Sequence, residues 1–309
     1  MRLSIKNTSK IETIFEESWN AARQELGAPA NFAKDLKSIN YNSFIERINC
    51  EDKNFIRDFV FSFYIGNVYV FTEVYQKETL DTFKQQLIDW AQKQVFTEPC
   101  MKDNAPDSVS TRNWHFEDYG FGYSSTYDMI HFYRWNDDPV GAYKLFDEPF
   151  RLLHAINAIT LRKTKDNQII DRIESNHYPP IRGGIAFHKD PICFTRFALT
   201  VNLTQFGVDY NEGGFAVGMN DGTLLRVDPK IELGSMIGFL PSVCHGVEII
   251  DPVVATHPDL PEFIAGRWYV AIAMVDRSDV TKREVTTNMP GFPTLREQLA
   301  THKNRRIHI

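Results

Sequence analysis

The stretch Asn176-His177-Tyr178-Pro179-Pro180-Ile181-Arg182-Gly183-Gly184-Ile185-Ala186-Phe187-His188-Lys189-Asp190 decides how the rest of this chain is read. A Pro/Gly-rich turn leads into a short β-rich run, residues 185–188, and a His-x-Asp pair closes it. Alternate side chains of a strand leave on the same face, so His188 and Asp190 point together if they sit at a strand end. Further runs follow at 197–203, 215–219, 223–227, 235–239, 246–250 and 268–275, separated by clusters of Gly, Pro, Asn and Asp. Many short strands with turn residues between them predict a sandwich or barrel, and the double-sheet jelly roll is one such solution.

Two ligands on one face grip a metal only if a third arrives from elsewhere. Cys244-His245-Gly246-Val247 offers it, after the apolar stretch Ser235-Met236-Ile237-Gly238-Phe239-Leu240 that reads as a core strand. His245 lies 55 residues beyond Asp190, about the length of several strands and their turns. Two histidines and one carboxylate form the facial triad of non-haem iron(II) centres, with positions left open. In a chain with nine histidines an HxD pair alone is weak, so the weight rests on order and context. His257 is the competing third ligand, but it stands between Thr256 and Pro258 in a Pro-rich loop, whereas His245 closes an apolar strand. His177, His257 and the tail histidines fit caps or surface turns.

With these residues in hand, the pattern resembles the 2-oxoglutarate- and Fe(II)-dependent dioxygenase superfamily, in particular its prolyl-hydroxylase-like branch. The resemblance covers residues 176–276, about a third of the chain. His188-Lys189-Asp190 matches the family's HxD, and Phe197-Ala198-Leu199-Thr200-Val201-Asn202-Leu203 is similar to the strand after it. Glu212-Gly213-Gly214-Phe215 resembles a turn-and-strand element, and the segment from Gly238 to Val247 the distal histidine element. Gly266-Arg267-Trp268-Tyr269 is similar to the strand that carries a co-substrate arginine.

The resemblance implies a jelly-roll (double-stranded β-helix) core and iron(II) on His188, Asp190 and His245. It further implies 2-oxoglutarate as co-substrate, with Arg267 taking its far carboxylate and Tyr178 and Asn202 assisting, and dioxygen as oxidant. A guanidinium forms a bidentate fork with a carboxylate, which is why arginine suits that task. Arg267 follows His245 by 22 residues, longer than is usual in the family, and the extra length is the loop around 251–261. An aspartate at 190, where related halogenases carry Gly or Ala, points to hydroxylation, desaturation or ring formation. The implied reaction is hydroxylation of a C–H bond with release of succinate and carbon dioxide. A small molecule such as an amino acid or natural-product intermediate is the expected substrate. A peptide or protein hydroxylase, or a cupin-like metal enzyme without 2-oxoglutarate, is the alternative.

The remainder of the chain frames this core. Residues 11–26 and 77–94 carry apolar side chains at helical spacing, residues 150–162 read helical, and residues 56–75 are β-branched and aromatic enough to hold strands. The expected fold is α+β: a helical or mixed part over about 1–170, a jelly-roll core over about 171–276 and an extension over 277–309, within a single domain. The aromatic-rich segment 113–135, including Asn113, Trp114 and Tyr119-Gly120-Phe121-Gly122-Tyr123, reads as strands or a substrate wall. Arg196 reads as facing substrate or forming a salt bridge. A formal net charge of −6 argues against general nucleic-acid binding. Four scattered cysteines without a CxxC pair argue against a disulfide framework, and no long apolar run predicts a membrane span. Without a signal-peptide pattern at the start, the expected location is the cytoplasm.

Overall fold

Ile11, Ile14, Phe15, Trp19 and Ala22 recur at three- and four-residue spacing, and in the computed structural model they form the buried stripe of helix α1 (Thr8–Leu26). The structure describes residues 4–6, 8–94, 101–102, 105–106, 110–119, 123–134, 137–161, 169–190, 195–276 and 287–306. Within 101–126, 275–276, 287–288 and 303–306 it describes the backbone alone. The first part continues with β1 (Asp35–Asn40), α2 (Tyr41–Asn49), α3 (Lys53–Tyr64), β2 (Asn67–Thr72) and α4 (Lys77–Ala91). The short strands β3 (Met101–Lys102) and β4 (Ala105–Pro106) pair with each other. They precede the hairpin of β5 (Ser110–Tyr119) and β6 (Tyr123–Tyr133), and then α5 (Ala142–Asn157).

The expectation of strands across 56–75 needs correction in its first half. Ile56, Phe59, Val60 and Phe63 are buried at helical spacing in α3, and the Asp52 carboxylate accepts from Phe55 N at 3.0 Å as its N-cap. β-Branching and aromaticity point to a strand only weakly, and the cap together with the tertiary stripe decides otherwise. The second half does form a strand, β2.

The β-rich part comprises β7 (Ile169–Tyr178), β8 (Gly184–Lys189), β9 (Ala198–Asn202), β10 (Gly214–Gly218), β11 (Leu224–Arg226), β12 (Met236–Phe239), β13 (His245–Glu248) and β14 (Arg267–Asp276). A last short strand, β15 (Thr287–Asn288), pairs β8 before α6 (Leu295–Arg306). Hydrogen-bonded neighbours run β1-β2-β12-β9-β14-β7-β6-β8-β13-β10-β11. From β7 onward the chain crosses between β12-β9-β14-β7 and β8-β13-β10-β11 at every step except the β10–β11 hairpin, which is the winding of a double-sheet jelly roll. β6 is the hinge, because residues 128–133 pair with β7 while Ser125 and Thr126 pair with β8. The two leaves then face each other: Phe239 of β12 and His245 of β13 are far apart along the sheet path, yet their rings stand 4.8 Å apart.

The helices cover one outer face. Leu199, Val201, Val270, Ile272 and Ile173 are buried there in the same apolar cluster as α1 and α5 residues, and the Trp19 indole donates to the Ile156 carbonyl at 2.7 Å. Burying such side chains stabilises by about 1.5–3 kcal/mol each, so the helical part is structurally integral to the sheet. One parallel pair departs from the antiparallel rule: β1 lies beside β2, with α2 and α3 as the crossover, and extends the larger leaf past β12. Cys50 and Cys244 are free thiols; Cys100 and Cys193 lie outside the described residues. Among the described residues no helix is long and apolar enough to cross a membrane.

Candidate metal centre

β8 and β13 are neighbours, and His245 stands directly across from His188 in their register. Directly opposed residues of an antiparallel pair point to the same side. The two rings therefore meet at 4.3 Å between centroids on the inner side of the smaller leaf. Asp190 follows the end of β8, and its amide donates to the Pro241 carbonyl at 2.9 Å, tying the loop that precedes His245 to the HxD segment. Its carboxylate lies 3.8 Å from His188 Nε2 and 3.5 Å from His245 Nε2. All three ligand atoms fall within 4.8 Å of one another.

Each histidine is oriented by its own backbone. His188 Nδ1 is 2.7 Å from the Ala186 carbonyl and His245 Nδ1 is 2.8 Å from the Val243 carbonyl. A carbonyl only accepts, so each Nδ1 carries the proton and each Nε2 presents its lone pair to the centre. Burial, followed by the neighbouring His245, pushes His188 down to about 4 against the pull of Asp190, so this ring is neutral near pH 7. Three ligands at about 2.1 Å from one ion would stand about 3–3.4 Å apart, and the carboxylate separations approach that closely. Cys244 stands apart from these ligands, its side chain packed with Phe187, Ala216 and Met289 in a separate apolar cluster, where burial pushes its thiol up to about 12. His257 is remote, its Nε2 donating to the Val208 carbonyl at 2.8 Å.

Strand register identifies what else shares this interior. Phe239 touches His245, Ala198 is opposite Phe239, Thr200 opposite Ala271, and Asn202 opposite Tyr269. Across β14 and β7, Arg267 faces Tyr178, Tyr269 faces Asn176 and Ala271 faces Glu174. These residues therefore line the face turned toward the triad, while the alternate positions turn to the helices.

Arg267 is buried, as expected, but its charge is already taken. Its Nε donates to Asp228 Oδ2 at 2.6 Å and its Nη2 to Asp228 Oδ1 at 3.2 Å and to Asn202 Oδ1 at 3.1 Å. Asp228 also accepts from Asn202 Nδ2 (3.0 Å), the Tyr210 hydroxyl (2.6 Å) and Phe215 N (2.7 Å). Burial alone would raise the Asp228 carboxyl; Arg267 beside it, with these donors, outweighs burial and holds it below the usual range. Gly214 makes room for this contact: it has φ +100°, and a Cβ there would stand 2.4 Å from Asp228 Oδ2. Among the buried polar atoms on this face that keep no hydrogen-bond partner are Arg267 Nη1 and the Tyr178 hydroxyl. The Arg267 guanidinium lies 4.7 Å from the Tyr269 ring centroid and 5.9 Å from that of Tyr178.

A second polar group sits further along β7, beside β6. Glu174 is paired by Arg172 Nη2 at 2.9 Å and approached by His131 Nε2 at 3.2 Å, while Asn176 Nδ2 donates to it at 3.2 Å. Burial raises this carboxyl, but Arg172, His131 and Asn176 together bring it down to about 2. Tyr269 bridges the two regions: its hydroxyl is pushed up by burial first and then by Glu174, with Asp190 adding to the effect.

Sequence reading missed Asp228, Tyr210, Arg172, Glu174 and His131. It also took His177 for a cap or surface turn. His177 is instead fully buried, its Nε2 donating to the Ala265 carbonyl at 2.7 Å, its Nδ1 2.9 Å from Asp128, its ring stacked on Trp268 at 4.4 Å. Arg196 faces helix α1, paired with Glu16 at 2.6 Å. The long loop before Arg267 is pinned down: Asp251 accepts from Thr256 N at 2.9 Å and from Asn211 N at 2.8 Å. The aromatic wall at Asn113, Trp114 and 119–123 lies outside the residues whose side chains are described.

No family model and no curated protein matches this chain. Among solved structures it is similar to a prolyl-4-hydroxylase of Pseudomonas putida, at 13% identity and TM-score 0.40, over 66% of this chain and 89% of that one. It is similar also to AviO1 from Streptomyces viridochromogenes Tue57, at 13% identity and TM-score 0.40, over 68% and 89%. A third is EvdMO1, at 14% identity and TM-score 0.39, over 66% and 46%.

Proposed function

We propose that the chain is a mononuclear non-haem iron(II) oxygenase of the 2-oxoglutarate-dependent superfamily that hydroxylates a C–H bond of a small molecule. The observation that carries this reading is the triad: two imidazoles with Nε2 lone pairs aimed at one point, and a carboxylate completing one face. Two nitrogens and one oxygen gathered at one point is the donor set suited to iron(II) oxygenases. When bound, iron with 2-oxoglutarate and dioxygen supplies the oxidising equivalents for hydroxylation, with succinate and carbon dioxide as products.

The chain's own residues would do the rest. His188 and His245 hold the ion as neutral donors, their rings fixed by backbone carbonyls, and Asp190 supplies the charge. Arg267 Nη1 is a buried donor in want of an acceptor, a fit for the far carboxylate of the co-substrate, with Tyr178 beside it. Asn202 and Asp228 lock the guanidinium in place. Phe239 and Phe215 pack beside His245 and keep water from that side.

The bidentate Asp228–Arg267 pair favours a second reading, a jelly-roll metal enzyme that does not use 2-oxoglutarate, since the arginine brings no net charge for another carboxylate. The test is oxygen-dependent succinate release after anaerobic loading with iron(II). Succinate is expected from the intact protein, slow without substrate and absent from His188→Ala. Iron bound at one per chain without succinate would favour the second reading; succinate from His188→Ala at the wild-type rate would refute the triad.

A further inference from the structure

Arg172, Glu174 and Asn176 sit at alternate positions of β7, on the face that also carries Tyr178 and looks toward the triad. His131 of β6 stands opposite Glu174 in register and joins them. This inward row contains a full ion pair, and two of its buried atoms are left unsatisfied: Arg172 Nε, a charged donor, and Asn176 Oδ1, an acceptor. Asn176 is wholly buried, so solvent does not satisfy it. Arg172 and Asn176 hold the two different oxygens of the Glu174 carboxylate, which fixes both side chains and aims their remaining valences from neighbouring points.

We propose that Arg172 and Asn176, braced by Glu174 and His131, form the substrate subsite, and that it takes a small carboxylic acid with an N–H or O–H donor on the adjacent carbon, an amino acid or hydroxy acid. Arg172 Nε donates to the substrate carboxylate, and Asn176 Oδ1 accepts from the amine or hydroxyl. Buried charged donors reject an apolar occupant, because covering them without a partner forfeits their hydrogen bonds. Tyr269 stands opposite Asn176 in register, its ring stacked on Tyr178 at 5.8 Å, on the same inward face. A molecule anchored on β7 thus extends its far carbons toward the candidate metal. Its role as substrate rests on the oxygenase reading above, whereas its binding does not.

The experiment measures binding and turnover separately. Calorimetry or thermal shift on the full chain, loaded anaerobically with iron(II), would use the common L-amino acids and their α-hydroxy acid counterparts. For each binder, the carboxamide, the decarboxylated amine and the acid lacking the α-donor serve as controls. We expect at least one amino or hydroxy acid to bind, and each control to bind about tenfold to a hundredfold more weakly. Arg172→Lys, which keeps the charge beside Glu174 but removes the guanidinium fork, should weaken the acid by a similar factor without altering iron stoichiometry. Asn176→Ser should relax the preference for the α-donor. The ligand series on the unaltered protein decides the matter even if both variants unfold. The subsite is refuted if no acid binds, if the controls bind as well as the parent, or if folded Arg172→Lys binds the acid like wild type. Loss of succinate release with binding intact would refute only the oxygenase reading.

Discussion

Asp228→Asn is the substitution that tests the interior most sharply. The wild-type carboxylate is a pure acceptor at the meeting point of donors: Arg267 Nε, Tyr210 and Phe215 N on Oδ2, and Arg267 Nη2 and Asn202 Nδ2 on Oδ1. An amide keeps one of these oxygens and turns the other into a donor. With nitrogen at the Oδ2 position it confronts Arg267 and the Phe215 amide; with nitrogen at Oδ1 it confronts Asn202 and the second arginine nitrogen. Either way the Arg267 charge loses its partner while remaining only 2% exposed. Removing one member of a buried pair costs about 3–5 kcal/mol. At about 2 °C per kcal/mol for a chain of this size, Tm should fall by about 6–10 °C.

Thermal and urea unfolding at pH 7 would read that loss. The companion double variant, Asp228→Asn with Arg267→Met, removes the stranded charge and should recover at least about half of it, because the uncompensated buried charge carries most of the cost. Two results would refute the reasoning: a single variant within about 0.5 kcal/mol of wild type, where ordinary surface changes fall, or a double variant whose loss is the plain sum of the two single ones. The first would mean that the charge finds solvent; the second, that the residues do not act on each other.

Two further outcomes follow from the interior. Glu174 is held at about 2, below its ordinary 4.5, so it contributes stability that is fully present above pH 4.5 and is lost as pH falls toward 2. The shift corresponds to about 3 kcal/mol; the acid limb of a stability–pH curve should flatten in Glu174→Gln, and an unchanged limb would contradict the assignment. Gly214→Ala should cost about 1–3 kcal/mol from its left-handed backbone alone, and more because its Cβ would stand 2.4 Å from Asp228 Oδ2. Urea midpoints check this, and a neutral result would mean that the Asp228 contact is not needed.

Local chemistry in the sequence was enough to determine several features. A His-x-Asp pair at a strand end presents both side chains together, and the structure brings His245 to them; His245 opens β13, inside the sheet between β8 and β10, rather than closing the apolar strand β12, which ends at Phe239. Helical periodicity announced α1 and α4, and turn residues marked the strands from 185 to 275. Other features depended on pairings between distant segments. Asp228 gives no local sign that it will meet Arg267, 39 residues on. The alternation Arg172, Glu174, Asn176, Tyr178 reads along the chain as a strand with one wet face. Period two says that the polar side chains share a face, but not whether that face looks to water or into a barrel. Closure of the two leaves through β6 turns it inward, beside the triad. The HxD…H centre was therefore determined by sequence, and its polar surroundings were decided by tertiary structure, because only the closed sheet removes water from groups that sequence alone leaves in it.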